Sequence, residues 1–219
     1  NRMPNISSKG QSMPQSPIRK LVPFAEAAKK RGTKVFHLNI GQPDIKTPQC
    51  ALDAVKNNTL KVIEYSRSEG SETYRTKIAS YYAKNKIFVN SDDIIVTTGG
   101  SEALLFTFGS IMDAGDEVII PAPYWVSYPE MTLLAGGTPV IVSCSADTGF
   151  KLTAEALEKV ITNKSKWLIL NSPSNPTGAC YSKDELNAIA QVVRKHKNLY
   201  VMTDDIYEYI VYDNFKFHK

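Results

Sequence analysis

The sequence predicts an α/β fold, a mainly parallel sheet flanked by helices, with an N-terminal arm ahead of it. Between Asp93 and Asp205 short β-rich runs alternate with helical patterns, which is how stacked strand–helix units read in sequence. The 219 residues, 42% of them hydrophobic, suffice to bury a core of domain size. Residues Asn1 to Gln15 are instead rich in Ser, Pro, Asn and Gln and contain no apolar run, so a secretory leader is not expected there.

Each element follows from period and end signals. From Ser16, the apolar positions Ile18, Leu21, Val22, Phe24, Ala25 and Ala28 recur at helical spacing until Gly32, a helix stop. Val35 to Ile40 reads as a short strand ending at Gly41. Two amphipathic helices are expected over Pro48 to Asn58 and Ser71 to Lys84. The strands of the alternating region are expected at Ile94 to Thr97, Glu117 to Ile120, Pro139 to Val142, Trp167 to Leu170 and Tyr200 to Thr203. A helix from Gly99 to Ala114 closes at the Gly115-Asp116 turn, and another from Lys183 to His196 has Ser182 as its N-cap.

Composition excludes several classes of function. A net charge of +4 with basic and acidic residues interspersed argues against nucleic-acid binding. Cys50, Cys144 and Cys180 are widely spaced and form no metal-binding pair, so free thiols in a reducing compartment are expected. No uninterrupted apolar run approaches membrane-spanning length. Together these features predict a soluble, cytoplasmic protein.

In a parallel sheet, ligands gather beyond the strand ends, where backbone N–H groups and helix N-termini converge. Thr97-Thr98-Gly99-Gly100-Ser101 follows the first of these strands, and its glycines allow close backbone approach at the positive end of a helix. That geometry suits a phosphate, and it serves equally as an ordinary glycine-capped junction. Neither a Walker motif nor a dinucleotide glycine motif is present. After the second strand, Trp125 could lie over a flat heteroaromatic ring or pack in the core. After the fourth, Asn175 offers an amide donor within a polar turn. At the end of the fifth, Asp204 and Tyr207 set a carboxylate and a phenol toward one crevice, and a buried Asp there needs a cationic or hydrogen-bonding partner.

Taken in order, these pieces resemble the class I and II aminotransferases, the aspartate-aminotransferase-like group with the first type of pyridoxal-phosphate fold. Gly41-Gln42-Pro43-Asp44 with Thr47-Pro48 looks like the family's substrate-side glycine motif. Tyr65, Gly70 and Arg75 match its Tyr, Gly and Arg before a helix, and Gly115-Asp116-Glu117-Val118 matches its helix-to-strand turn. Asn175-Pro176-Thr177-Gly178 and the Asp204, Tyr207 pair are the most specific pieces.

The resemblance implies pyridoxal 5'-phosphate as cofactor and assigns roles by position. Gly99, Gly100 and Ser101 would cradle its phosphate, and Trp125 would stack on its ring. Asp204 would pair with the ring nitrogen and keep it protonated, making the ring a stronger electron sink. Asn175 and Tyr207 would donate to the phenolate oxygen, and Gly41 would line the substrate site through its backbone. Tyr65 would reach the neighbouring subunit's phosphate, so a homodimer is implied. Residues 1–46 would form the arm and a small-domain segment, and residues 47–219 part of the large cofactor-binding domain.

Relatives commonly have Asp-Glu where this chain has Asp204-Asp205, a shortening expected to leave the contact of Asp204 intact. The family's Schiff-base lysine and substrate-carboxylate arginine lie further along than residue 219, since Lys216 and Lys219 are too near Tyr207 to match and read as solvated lysines. A chain without that lysine is expected to be inactive by itself. The resemblance implies amino-acid and 2-oxo-acid substrates, with an aspartate-like or aromatic donor. Two rivals share the pattern: a lyase or decarboxylase of the same fold, and a non-catalytic binding module. A nicotinamide oxidoreductase would need the dinucleotide motif that is missing.

Overall fold

The computed structural model describes residues 4–219. They fall into two compact units, one formed by residues 4–14 with Thr97–Lys219, the other by Gln15–Val96.

The first unit is built on a four-stranded sheet: β1 (Glu117–Ala122), β2 (Thr138–Ser143), β3 (Ser165–Asn171) and β4 (Tyr200–Asp204). All four strands are parallel, in the order β2-β1-β3-β4. They appear where the sequence predicts them, each longer by one to three residues. Helices α5 (Gly100–Ile111), α6 (Ser127–Leu134), α7 (Ala154–Val160) and α8 (Lys183–Val193) accompany them, after a short α1 (Ser8–Ser12) in the arm. Lys9 of α1 donates to the carbonyl of Leu134 at 2.8 Å, which ties the arm to the end of α6.

The alternation of side chains along each strand sorts the core into two layers. Ile119, Leu168 and Leu170 pack with Leu157 of α7 and with Ile189 and Val192 of α8. Val118, Ile120, Trp167 and Ile169 point the other way, onto Leu104 and Phe108 of α5 and Tyr128 and Met131 of α6. The chain leaves β1 toward β2 and then crosses back past β1 to β3. Right-handed connections running in opposite directions set their helices on opposite faces, as the two clusters do. α8 starts with the capping box that Ser182 predicts: its hydroxyl accepts from Glu185 N, while the Glu185 carboxylate accepts from Ser182 N.

The second unit holds α2 (Val22–Lys30), α3 (Gln49–Lys56) and α4 (Glu72–Lys84). A single 3₁₀ turn at Arg19–Leu21 leads into α2, and Gly32 follows it with φ +81°. Gly70 and Arg75 act locally here. Gly70 has φ +94°, and a Cβ there would lie 2.7 Å from the Val96 side chain. Arg75, 2% exposed, donates to the carbonyls of Gly70 and Ser91 and pairs with Glu69 and Asp92.

Two expected strands are absent. Val35 to Ile40 and Ile94 to Thr97 enter no ladder among the described residues. A strand exists only through its partner, and here the backbone of Val96 donates to the carbonyl of Glu69 in a loop. Three helices are additions to the expected set, α1, α6 and α7. Pro129 stands in the first turn of α6, where a proline is tolerated.

Candidate cofactor site at the sheet's switch point

Where the strand order reverses, the loops after β1 and β3 run apart and leave a crevice beyond their C-terminal ends. A cavity of about 380 Å³, open in part to solvent, lies there. The loop after β1 lines it with Pro123, Tyr124 and Tyr128, and the end of β3 lines it with Asn171, Ser174 and Asn175. Phe150 and Tyr181 line it as well.

Three of the lining residues, Tyr128, Asn171 and Asn175, are linked by hydrogen bonds to Asp204 and Tyr207, which lie outside the lining. Asn171 and Asp204 stand opposite each other in the β3–β4 register. The Asn171 amide donates to the carbonyl of Asp204 at 2.8 Å, and its oxygen accepts from the backbone of Asn175 at 2.7 Å. The Asn175 turn is also closed by Ser174 N to Ala179 O and Gly178 N to Ser174 O. The Asn175 amide donates to the Tyr207 hydroxyl at 3.5 Å, which sets the two polar side chains side by side. The Asp204 carboxylate accepts from the Tyr128 hydroxyl at 2.7 Å and from the backbone of Ile206 at 3.3 Å. Burial, then the hydrogen bond to Asp204 and its charge, pushes the Tyr128 phenol far above its ordinary range, so it keeps its proton and is the donor of this bond. No ion pair reaches Asp204 among the described residues.

Trp125 stands edge-on to Tyr128, with ring centroids 5.4 Å apart and planes at 84°. Gly99 caps α5 with φ +81° and ψ 169°, a conformation that only glycine adopts freely. A Cβ at Gly99 or Gly100 would meet nothing within 4 Å, so the space before the helix is open. The backbone N–H groups of Gly100 and Ser101 take no partner among the described residues, the usual state of a first turn. The Glu102 carboxylate accepts from Thr98 N beside them.

Asp204, Asn175, Tyr207 and Trp125 are thus joined through Tyr128 and Asn171, and Gly99, Gly100 and Ser101 belong to the same unit. Gly41 and Tyr65 lie in the Gln15–Val96 unit, and Tyr65 is fully exposed there. Asp205 turns to Lys219 at 3.4 Å, and burial raises its carboxyl above the ordinary value. Lys219 also pairs with Glu208 at 2.8 Å, and its side chain is 10% exposed. The expectation of a solvated lysine therefore fails at Lys219, where two carboxylates offset the cost of covering the ammonium. Among the described residues no group of His, Cys, Asp and Glu is arranged for a metal ion, and no helix is long and apolar enough to cross a membrane.

A family model described as aminotransferase class I and II matches residues 33–219. The chain belongs to that family. It is similar to the probable aspartate/prephenate aminotransferase of Rickettsia conorii, 46% identical over 219 residues, covering 97% of this chain and 54% of the relative. It is 43% identical over 192 residues to the aspartate/prephenate aminotransferase of Cereibacter sphaeroides, covering 85% and 47%. Among solved structures, the aspartate aminotransferase of Rhizobium meliloti superposes with a TM-score of 0.91 at 37% identity, over 98% of this chain and 54% of that one. The aspartate aminotransferase of Thermus thermophilus with maleate gives 0.86 at 35%, over 98% and 56%. The chain spans about half the length of the curated relatives it matches.

Tyr128 and Asn171 are the two residues that sequence reasoning passed over. Tyr128 lies in the aromatic run beside Trp125, and Asn171 opens the polar turn that contains Asn175, so the signal was position alone.

Proposed function

We propose that this chain forms the cofactor-binding part of a pyridoxal-phosphate aminotransferase that moves an amino group from an aspartate-like or aromatic amino acid to a 2-oxo acid. Names of the similar proteins, aspartate/prephenate aminotransferases, support the substrate class. The observation that carries the reading is Asp204: a partly buried carboxylate at the C-terminal end of β4, held by two donors and, among the described residues, in no ion pair.

Its chemistry fits the cofactor. An ionised carboxylate has about four acceptor sites, and two are taken, so Asp204 can still accept from a protonated ring nitrogen. A half-buried negative charge favours that cation, because each lowers the cost of covering the other. Asn175 and Tyr207, whose polar ends are 3.5 Å apart, would both donate to an anionic oxygen. Trp125 would cover one face of the ring, and its edge contact with Tyr128 fixes its plane. The free N–H groups of Gly100 and Ser101 would take the phosphate at the positive end of α5. When bound, the cofactor supplies an electron sink for the substrate's α-carbon.

The remaining assignments are part of the same proposal. Tyr65, exposed and aromatic, would complete a partner subunit's phosphate site in a homodimer, and Gly41 would line the substrate site. Residues 1–46 would serve as arm and small-domain segment and 47–219 as part of the large domain, a division that concerns the assembled protein rather than the compact units of this chain. A Schiff-base lysine would come from beyond residue 219, so the 219-residue chain alone would not turn over. Three cysteines free of disulfides suit a cytoplasmic location.

The test is a donor and acceptor screen on the full-length protein loaded with pyridoxal phosphate. Amino-group transfer from aspartate or an aromatic amino acid to a 2-oxo acid is expected. Elimination or decarboxylation products without transfer would reject the reading.

A further inference from the structure

The Tyr128 hydroxyl reaches Asp204 across 76 positions of sequence, from α6 to the end of β4, at 2.7 Å. The same side chain is 2% exposed and presents its ring to Trp125. One residue therefore touches both the carboxylate and the indole at the rim of the crevice. Burial of this kind needs only a ring, and phenylalanine would pack equally well on Phe108, Met131 and Ile120. The hydroxyl adds one thing, a donor aimed at Asp204. The other groups near that carboxylate are Tyr207 and Asp205, both from the segment after β4, and Lys219 pairs with Asp205 rather than with Asp204.

We propose that Tyr128 is a positioning residue for the cofactor ring: its hydroxyl holds Asp204 Oδ2 while its ring sets the plane of Trp125. The proposal rests on the assignment of Asp204 to the ring nitrogen and deepens it. With Oδ2 held by Tyr128 and Oδ1 by the backbone of Ile206, the carboxylate cannot swing, and its open acceptor sites keep one direction.

The experiment uses the full-length protein loaded with pyridoxal phosphate, as wild type, Tyr128→Phe, Asp204→Ala and the double variant. Two quantities are read: the rate of cofactor release into buffer, and the pH at which the bound cofactor's visible absorbance changes. Tyr128→Phe is expected to release cofactor about tenfold faster, the worth of one hydrogen bond to a charged group, and to displace the titration. In the Asp204→Ala background the same change should add nothing, an outcome that loss of packing would not give. Placing 3-fluorotyrosine at position 128 keeps the shape and strengthens the donor, and should displace the titration in the opposite sense even if Tyr128→Phe folds poorly. If Asp204→Ala is impaired while Tyr128→Phe and the fluorinated protein match wild type, Tyr128 has no positioning role and the Asp204 assignment stands. An undiminished effect of Tyr128→Phe in the double variant also overturns the role. If Asp204→Ala itself retains cofactor with an unchanged titration, both readings fail.

Discussion

Replacing Asn171 by alanine should loosen the crevice from beneath. The side chain makes two hydrogen bonds, accepting from Asn175 N at 2.7 Å and donating to Asp204 O at 2.8 Å. Both backbone partners lie in partly buried residues, so water can only partly replace what is lost. A neutral hydrogen bond contributes about 1 kcal/mol net, and an unsatisfied group costs about 1–3 kcal/mol when fully buried. The half-buried pair should therefore cost about 2–3 kcal/mol. Confined to the turn, that amounts to a rise of roughly 30-fold to 150-fold in local opening. Amide hydrogen exchange on the full-length protein reads it directly, as faster exchange at Asn175 in Asn171→Ala. Asn171→Asp separates the two bonds: it keeps the acceptor for Asn175 but sets a carboxylate against the Asp204 carbonyl, so Asn175 should stay protected while β4 loosens. Exchange at Asn175 within about twofold of wild type in Asn171→Ala, a difference of about 0.4 kcal/mol, would refute the claim that Asn171 holds the turn.

Other consequences can be checked on the same protein. Gly99→Ala forces a side chain into a backbone region at φ +81°, at a cost of about 1–3 kcal/mol, and thermal melting should show the loss although the added methyl meets open space. Ser182→Ala removes the cap of α8 and should lower stability by about 1 kcal/mol, visible as a shift in urea midpoint with no change of slope. Burial raises the Glu185 carboxyl, but its pairing with Lys151 and its bonds with Ser182 outweigh this and hold it below 4.5. A depressed carboxylate stabilises above its unfolded pKa and loses that as pH falls through the folded value. The stability gap between wild type and Lys151→Met should therefore be full at pH 7 and close as pH drops below the ordinary glutamate value. Urea titrations across that range measure it, and a gap that widens on acidification would reject the pairing.

Much of the sheet is legible in the sequence because β1 to β4 carry short apolar runs between turn signals, with the central β1 and β3 buried on both faces and the edge strands β2 and β4 only partly covered. Glu117 to Ala122 and Ser165 to Asn171 exceed their expected ranges because ladder pairing continues past the last apolar residue, out to Asn171 and Asp204. Val35 to Ile40 and Ile94 to Thr97 have the composition of strands, yet composition does not supply a partner. The site is legible at Asp204, Asn175 and Tyr207, each of which follows a strand and is polar where an apolar residue would do. Tyr128 is not, because its significance depends on a meeting with Asp204 that local sequence does not encode. Asn171 is partly so: it stands in the right turn, but only the strand register pairs it with Asp204.

The protonation of the ring nitrogen tests the account most directly. Nitrogen NMR of ring-labelled pyridoxal phosphate bound to the full-length protein should show a protonated ring nitrogen at neutral pH in wild type and an unprotonated one in Asp204→Ala. A bound cofactor whose ring nitrogen is unprotonated in wild type, or is protonated equally with and without the Asp204 carboxylate, would contradict it.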